Sequence, residues 1–248
     1  MYYYYYATAK GPLKKKKPCD AKATTTRWVD TLAQTQEACT ALRQHTLLAF
    51  DMEGFQLGRN GTTSLVQLAS KDTVYLFDIL TLGASAFGVG GLAAILEDPA
   101  ITKLCYDCRC DAEALYYLHS VALAGAYDLQ IAYTLLFQAC NDPFLKGLHR
   151  ALQAPGVLPA GSVRQKILQT KLEGKRHLHD MLARPLSLDV LAYCAVDVVH
   201  LFTMYELWAP HLHPCMKDLS QQRMDRFISR ENLVWCMSRL DFVRPASP

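Results

Sequence analysis

Short apolar runs and helical periodicity alternate along residues 27–210, and the order in which they occur predicts the fold. The first part of this segment contains apolar runs separated by turn-forming residues, whereas the second part alternates strands with helical stretches. Asn60-Gly61 and residues 70–72 predict hairpin turns, so the strands that they connect should pair antiparallel. The sequence therefore predicts an α/β fold: a mixed sheet of three antiparallel strands and then parallel strands, flanked by helices. The predicted strands are residues 27–29, 47–52, 63–69, 73–79, 102–106 and 126–127.

Capping residues and apolar spacing predict the helices. Thr31 can cap the first helix, which continues to about Arg43, and Gln34 occupies the reciprocal position of a capping box. Ser187 is predicted as the N-cap of a long helix over residues 188–207. The other predicted helices are residues 91–96, 109–121, 129–139, 143–152, part of 163–182, and 218–237.

The chain divides into three predicted regions. Residues 1–26 contain five consecutive tyrosines and a lysine block, Lys14 to Lys17, without any periodicity, which predicts a disordered basic tail. Residues 27–210 form the predicted globular domain, and residues 211–248 a C-terminal helical extension. Residues 1–27 carry a net charge of +6 and the remainder −3, a difference that alone assigns no partner.

Composition narrows the compartment in which the protein is expected. The 248 residues are 51% apolar but contain no run of 18 apolar residues, so no membrane span is expected. The N-terminus lacks the pattern of a secretory signal, so the nine cysteines are expected to be reduced thiols. We expect an intracellular protein, in the nucleus or the cytoplasm. The block from Lys14 to Lys17 is either a nuclear localisation signal, a contact for a polyanion, or part of a solvated tail.

Acidic residues at three separate places form the candidate site. Asp51 and Glu53 follow an apolar run, and residues two apart in a strand project from the same face. Asp111 lies near the start of a helical stretch, where backbone amides favour a negative charge. Tyr193 and Asp197 are four residues apart on one helix face. If these side chains converge, they form a site that holds two divalent metal ions and hydrolyses a phosphodiester bond.

Each candidate also has an ordinary structural interpretation. Asp51 and Glu53 could lie on a solvated loop edge, and Asp111 could be only a charge at a helix start. Asp107 is placed equally well by local sequence, but the context Cys108-Arg109-Cys110-Asp111 favours Asp111. Tyr193 could be a core aromatic of an amphipathic helix.

The three motifs together resemble those of a known family. Asp51-Met52-Glu53, Asp111 and the segment from Tyr193 to Asp197 are similar to the motifs of the DEDDy 3′→5′ exonucleases, such as ribonuclease D. The spacing Tyr-x-x-x-Asp indicates the tyrosine subtype. The family's usual His or Asn ahead of the second motif is replaced by Tyr106, and residues 211–248 are too few for the helical domain that follows in ribonuclease D. The segments that resemble the Egalitarian-like exonuclease-domain branch are residues 51–54, 91–92, 103–111, 127–132 and 184–187.

The resemblance implies an RNase H-like fold and hydrolysis assisted by two Mg²⁺ or Mn²⁺ ions. Asp51 would bridge both ions, and Glu53 and Asp197 would complete the shell of the ion that holds the attacking water. Asp111 would reach the other ion mostly through waters. Tyr193 would orient the attacking water, because a phenol with a reference pKa of about 10 is a poor base at neutral pH.

The expected substrate is single-stranded nucleic acid, with RNA favoured by the branch that the chain resembles. Phe55 or Leu57 would stack on the 3′-terminal base or, alternatively, pack in the sheet. Lys171, Lys175 and Arg176 belong to a basic segment that would follow the phosphate backbone or form an ordinary charged face. Protein partners are not predicted by the sequence.

Two other functions stay open at this point. A chain that kept the fold but lost catalysis would act as an RNA-binding or protein-binding adaptor, although the intact carboxylates favour the enzyme. A zinc protein would use Cys105, Cys108 and Cys110, or the histidines at 177–179 and 211–213. That cysteine spacing lacks a second ligand pair, so we expect buried thiols and surface histidines.

Overall fold

The computed structural model describes residues 24–138, 142, 144–174 and 181–229. Within these residues six strands form one mixed sheet in the order β1-β4-β3-β2-β5-β6. The second to fourth strands pair antiparallel, and the pairs β1–β4, β2–β5 and β5–β6 are parallel. The predicted fold class is therefore confirmed. The strands are β1 (Thr25–Val29), β2 (Leu47–Phe55), β3 (Thr62–Ala69), β4 (Thr73–Asp78), β5 (Thr102–Cys105) and β6 (Ala126–Asp128).

Helices cover both faces of the sheet, and the two predicted caps are present. The hydroxyl of Thr31 accepts a hydrogen bond from the backbone of Gln34 at 3.3 Å, and the Gln34 side chain accepts one from the backbone of Thr31 at 3.1 Å. Ser187 caps the helix that carries the third motif. The helices are α1 (Leu32–Leu42), α2 (Ile79–Leu82), α3 (Leu92–Leu96), α4 (Arg109–His119), α5 (Leu129–Phe137), α6 (Leu148–Ala151), α7 (Ser162–Gly174), α8 (Leu188–Val199), α9 (Leu201–Trp208) and α10 (Met216–Ile228).

Several predicted elements differ from the structure. The helix predicted over residues 188–207 is interrupted at His200 and forms α8 and α9. The helix predicted over residues 143–152 is only the short α6. The unpredicted α2 begins directly after β4, because the Asp78 carboxylate accepts a hydrogen bond from the backbone of Thr81 and caps it. The predicted tail up to residue 23 and residues 230–248 lie outside the described residues.

One helical stretch, Leu188–His211, is long and apolar enough to cross a membrane by length and composition. It consists mainly of α8 and α9, whose apolar residues Val198, Leu201 and Trp208 are buried in the core beside the sheet. A core helix of this length passes the same test. The expected absence of a membrane span stays a prediction.

The two faces of β2 point into two different apolar clusters. Leu48 and Phe50 belong to the cluster under α1, α3 and α4, whereas Ala49 belongs to the cluster under α5, α8 and α9. Because side chains alternate along a strand, Asp51 and Glu53 fall on the same face as Ala49. The fold therefore directs both acids towards the side of the sheet that α8 covers.

Candidate active site

Asp51 and Glu53 lie where β2 extends beyond its parallel neighbour. β5 pairs with β2 only at residues 47–49, whereas β3 stays paired with β2 as far as Phe55. The two acids therefore both lie within β2, which continues to Phe55 and not only to residue 52 as predicted. The edge of β2 next to them is open on the β5 side. Such a crevice outside the carboxyl ends of parallel strands is the usual ligand site of open α/β sheets.

A β-bulge follows the second acid. The register of β2 against β3 shifts between Glu53 and Gly54. A Cβ atom at Gly54 would lie 2.0 Å from the carbonyl oxygen of Thr62, so the close approach of the two strands requires glycine. Bulges redirect side chains beside functional sites. Beyond this one, the ring of Phe55 is 49% exposed.

The helix α8 brings the third motif onto the two strand acids. The carboxylate oxygens of Asp51, Glu53 and Asp197 lie within 4.8 Å of one another. Among the described residues, this is the one group of three or more metal-ligating side chains that are so close together. The phenol oxygen of Tyr193 is within hydrogen-bonding reach of the carboxylates of Glu53 and Asp197.

Asp111 lies against the same stretch of strand, in the first turn of α4. Its carboxylate lies near the backbone N–H of Met52, the residue between the two strand acids, and this N–H opposes the rise in the pKa of Asp111 that burial causes. Burial and then the charge of Asp111 raise the pKa of Asp51. Asp111 does not belong to the 4.8 Å group. This position agrees with a carboxylate that would reach a metal ion through water.

Asp107, the competing candidate, is part of a different cluster. Its carboxylate lies 2.6 Å from the guanidinium of Arg109 and 3.2 Å from that of Arg223. Although burial opposes it, the charge of Arg223 and the contacts with Arg109 lower the pKa of Asp107. Asp107 is therefore an internal ion-pair partner.

Sequence reasoning missed Arg223, although the pattern of α10 contained a signal. The residues of α10 that are buried recur at helical spacing, and Arg223 is the one charged residue among them. A single arginine on the apolar side of a helix predicts a buried acidic partner. The buried residues of α10 are Met216, Ser220, Arg223, Met224 and Phe227.

The acids of the candidate site carry more negative charge than their surroundings compensate. Burial, and then the charge of Asp197, raises the pKa of Glu53 to about 8. Burial raises the pKa of Asp111 to about 7. Carboxylates held this close together are stabilised by a bound cation, and an oxygen-only ligand set is the one that hard divalent ions prefer. The residues present therefore fit the divalent metal use that the fold implies.

The phenol of Tyr193 stays protonated in this environment. Burial, followed by the charges of Asp197 and Glu53, raises the pKa of Tyr193 far above its ordinary value. The side chain is 6% exposed, so its hydroxyl is held against the carboxylates. Tyr193 can therefore donate a hydrogen bond but cannot act as a base at neutral pH.

The residues predicted to bind substrate are placed differently from one another. The ammonium of Lys171, on α7, forms an ion pair with Asp197 and lies 3.9 Å from the centroid of the Tyr193 ring. Leu57 lies beyond the end of β2 and packs against the apolar cluster under α4. Lys175 and Arg176 lie outside the described residues.

The cysteines do not form a metal site with other ligands in the described part of the chain. Cys105 and Cys108 are buried with their sulfur atoms 2.7 Å apart, and Cys110 is half-buried. None of the three belongs to a group of three ligands within 4.8 Å. Burial raises the pKa of Cys105 and of Cys110. The expectation of packed thiols is in agreement with this arrangement.

Known proteins share both the sequence pattern and the fold. Residues 26–212 match the family model of the 3′–5′ exonuclease domain. The piRNA biogenesis protein EXD1 of Mus musculus is 31% identical over 172 residues, which cover 66% of this chain and 29% of that protein. The chain spans between 29% and 40% of the length of the first curated relatives that it matches.

Solved structures of similar proteins have the same fold. The crystal structure of Trypanosoma brucei RNase D superposes with a TM-score of 0.68 and 28% identity, and the match covers 82% of this chain and 73% of that one. The complex of the same protein with RNA U12 gives a TM-score of 0.64 and 28% identity, over 83% of this chain and 70% of that one.

Proposed function

Because the chain belongs to the 3′–5′ exonuclease family, in its DEDDy, RNase D-like branch, we propose that it removes nucleotides from the 3′ end of single-stranded nucleic acid, with RNA favoured over DNA. The observation that carries the proposal is the convergence of Asp51, Glu53 and Asp197 within 4.8 Å, beside Asp111. A binding module that has no catalysis does not need closely spaced acids whose charge its own residues leave largely uncompensated. The assignment to the Egalitarian-like branch stays a prediction.

Asp51, Glu53 and Asp197 would hold divalent cations directly, and Asp111 would support them from the start of α4. We propose two ions, Mg²⁺ or Mn²⁺, because these hard cations suit carboxylate oxygens. When bound, such ions supply positive charge to the attacking and leaving oxygens of an in-line displacement. The spacing of the carboxylates is set by one strand and one helix, so the site is rigid before the substrate arrives.

Tyr193 would position the attacking water. Its protonated hydroxyl lies between carboxylates that can accept its hydrogen bond, which fixes the orientation of the ring. An oriented phenol can in turn direct a lone pair of the water towards the phosphorus atom. The role follows from orientation and not from proton abstraction, because the pKa of Tyr193 is raised.

Phe55 and Lys171 would contact the nucleic acid. Phe55 is an exposed aromatic ring two residues after Glu53, and aromatic rings of this type stack on unpaired bases. Lys171 provides a positive charge beside the acids, where a scissile phosphate would lie. RNA is favoured because a similar RNase D binds RNA U12 and a similar mouse protein acts in piRNA biogenesis.

The proposal is tested by incubating the full chain with 3′-labelled single-stranded RNA, or with DNA of the same sequence, in Mg²⁺ or Mn²⁺. The wild-type protein should release labelled nucleoside monophosphate, whereas Asp51→Asn should lower the rate by more than about 100-fold. Asp189→Asn is the matched control, because it makes the same change at an exposed position of α8 and should leave the rate unchanged.

RNA binding without any metal-dependent release of label would contradict the proposal and indicate an adaptor. Faster release from DNA than from RNA would contradict only the preference for RNA.

A further inference from the structure

The ammonium of Lys171 occupies an unusual position for a lysine on an exposed helix. Its side chain is only 11% exposed, whereas Leu172, its neighbour in α7, is 48% exposed. Lys166, one and a half turns earlier, is also exposed. The side chain of Lys171 therefore lies between α7 and α8 and not on the solvated face of α7.

The contacts of Lys171 lie inside the acid cluster. Its Nζ atom pairs with Oδ1 of Asp197, a carboxylate that is 3% exposed, and lies over the ring of Tyr193 at 3.9 Å. One oxygen of Asp197 lies within 4.8 Å of one oxygen each of Asp51 and Glu53, so an ammonium paired with Asp197 is at the edge of the group that fits a metal ion.

We propose that Lys171 is a resident cation of this site: it holds the acid cluster together without metal, and it must leave Asp197 when a divalent ion binds. This inference rests on the proposed function, because it requires that the acids bind metal. The ammonium takes up part of the acceptor capacity of the Asp197 carboxylate, and its positive charge repels a divalent ion bound to the same carboxylate. Metal binding and the Lys171–Asp197 contact therefore compete.

The residue type at this position suits a displaceable cation. A lysine carries a compact charge on a flexible stem of four carbons, so its head can withdraw without any movement of the helix. An arginine would bind the carboxylate with two parallel hydrogen bonds and would be harder to displace. One positive charge also leaves the negative charge of the four acids largely uncompensated, so a divalent ion in place of the ammonium would stabilise them more.

Displacement has a consequence for substrate binding. Once the ammonium leaves Asp197, its charge is free at the edge of the site, where a nucleic acid phosphate would lie. Metal occupancy would thus prepare Lys171 for the substrate, and the two binding events would strengthen each other.

The experiment measures the binding of Mn²⁺ to the full chain without nucleic acid, from the electron paramagnetic resonance signal of the free ion. Lys171→Gln removes the competitor and should bind Mn²⁺ about 10-fold more tightly than the wild-type protein. Lys171→Arg keeps the charge but pairs more firmly with Asp197, so it should bind Mn²⁺ more weakly. Lys166→Gln makes the same charge change on the exposed side of α7 and should match the wild-type protein.

Each other outcome contradicts a defined part of the inference. If Lys171→Gln and Lys166→Gln bind Mn²⁺ with equal affinity, the position of Lys171 beside Asp197 has no effect beyond its charge. That result would contradict the proposed competition. If Lys171→Arg binds Mn²⁺ as tightly as the wild-type protein, the competition is contradicted as well. Because this variant keeps a positive charge that can pair with Asp197, it should also keep the fold. If the wild-type protein binds no Mn²⁺, or if Asp51→Asn binds it equally well, the metal site of the proposed function fails as well.

Discussion

Two groups of acids include residues next to the start of α4, and they differ in the source of their positive charge. The acids of the candidate site have one lysine beside them, and the pKa of Glu53 is raised to about 8. The second group, the Arg223 cluster, consists of Asp107, Asp128, Arg109 and Arg223, and there the arginines lower the pKa of Asp107, although burial raises the pKa of Asp128.

The contrast shows that the residue type alone does not assign a role to a buried aspartate. Asp107 and Asp111 are one helical turn apart in the sequence, yet only Asp111 contacts the strand that carries Asp51. Where the chain supplies the counter-ions, the acids are paired within the fold. Where it supplies too few, the site is left to be completed by cations from solution.

The largest expected effect comes from removing the counter-ion of the Arg223 cluster. Arg223→Met leaves the buried carboxylate of Asp128 without its cation and removes one of the two arginines beside Asp107, so it should lower the free energy of unfolding by about 3–5 kcal/mol. Urea unfolding measures this, with Arg226→Met, at an exposed position of the same helix, as the control. A loss as small as that of the control would show that the cluster does not stabilise the fold.

The free energy of unfolding of the metal-free protein should depend on pH because the pKa of Glu53 is raised. Glu53 has a pKa of about 8 in the folded protein and a reference value of 4.5, so the folded state retains a proton that the unfolded state has lost. Its contribution to stability is therefore complete below about pH 4.5 and is lost as the pH rises to about 8, with a slope approaching about 1.4 kcal/mol per pH unit.

The measurement is urea unfolding between pH 4.5 and 8 in the presence of a chelator, for the wild-type protein and Glu53→Gln. The difference between the two proteins is needed because burial lowers the pKa of His200 to about 4, which acts in the opposite direction at acid pH. The advantage of the wild-type protein should decline with rising pH. A constant difference would show that the Glu53 carboxyl titrates normally.

A smaller effect is expected from Tyr193→Phe, which keeps the ring over which Lys171 lies but removes the hydroxyl. If Tyr193 only orients water, kcat should fall by about 10- to 100-fold while KM changes little. Single-turnover hydrolysis of labelled RNA separates the two constants. A change confined to KM would instead indicate that the phenol contacts the substrate.

Local spacing predicted much of the site and its frame. The positions of Asp51 and Glu53 on one strand face, and of Tyr193 and Asp197 on one helix face, follow from periods that any strand or helix has. The capping box at Thr31 and the hairpin pairing of the strands are local in the same sense. These features need no knowledge of the rest of the chain.

Features that depend on distant contacts were not predictable in this way. The length by which β2 extends beyond β5 depends on where two separate strands end. The interruption of the helix at His200 depends on the packing of α8 and α9. The distinction between Asp107 and Asp111 depends on Arg223, which lies far along the chain. The pairing of Lys171 with Asp197 depends likewise on how α7 packs against α8.

The proximity of the Asp111 carboxylate to the backbone N–H of Met52 links the edge of the sheet to the candidate site. Because β5 stops short, the backbone N–H of Met52 has no strand opposite it on that side, and the Asp111 carboxylate lies near it instead. The acid for which we propose a part in hydrolysis thus also lies at the open edge of a strand. An amide in place of this carboxylate would still offer an oxygen to the main-chain N–H, whereas an aliphatic side chain would leave that donor without this acceptor.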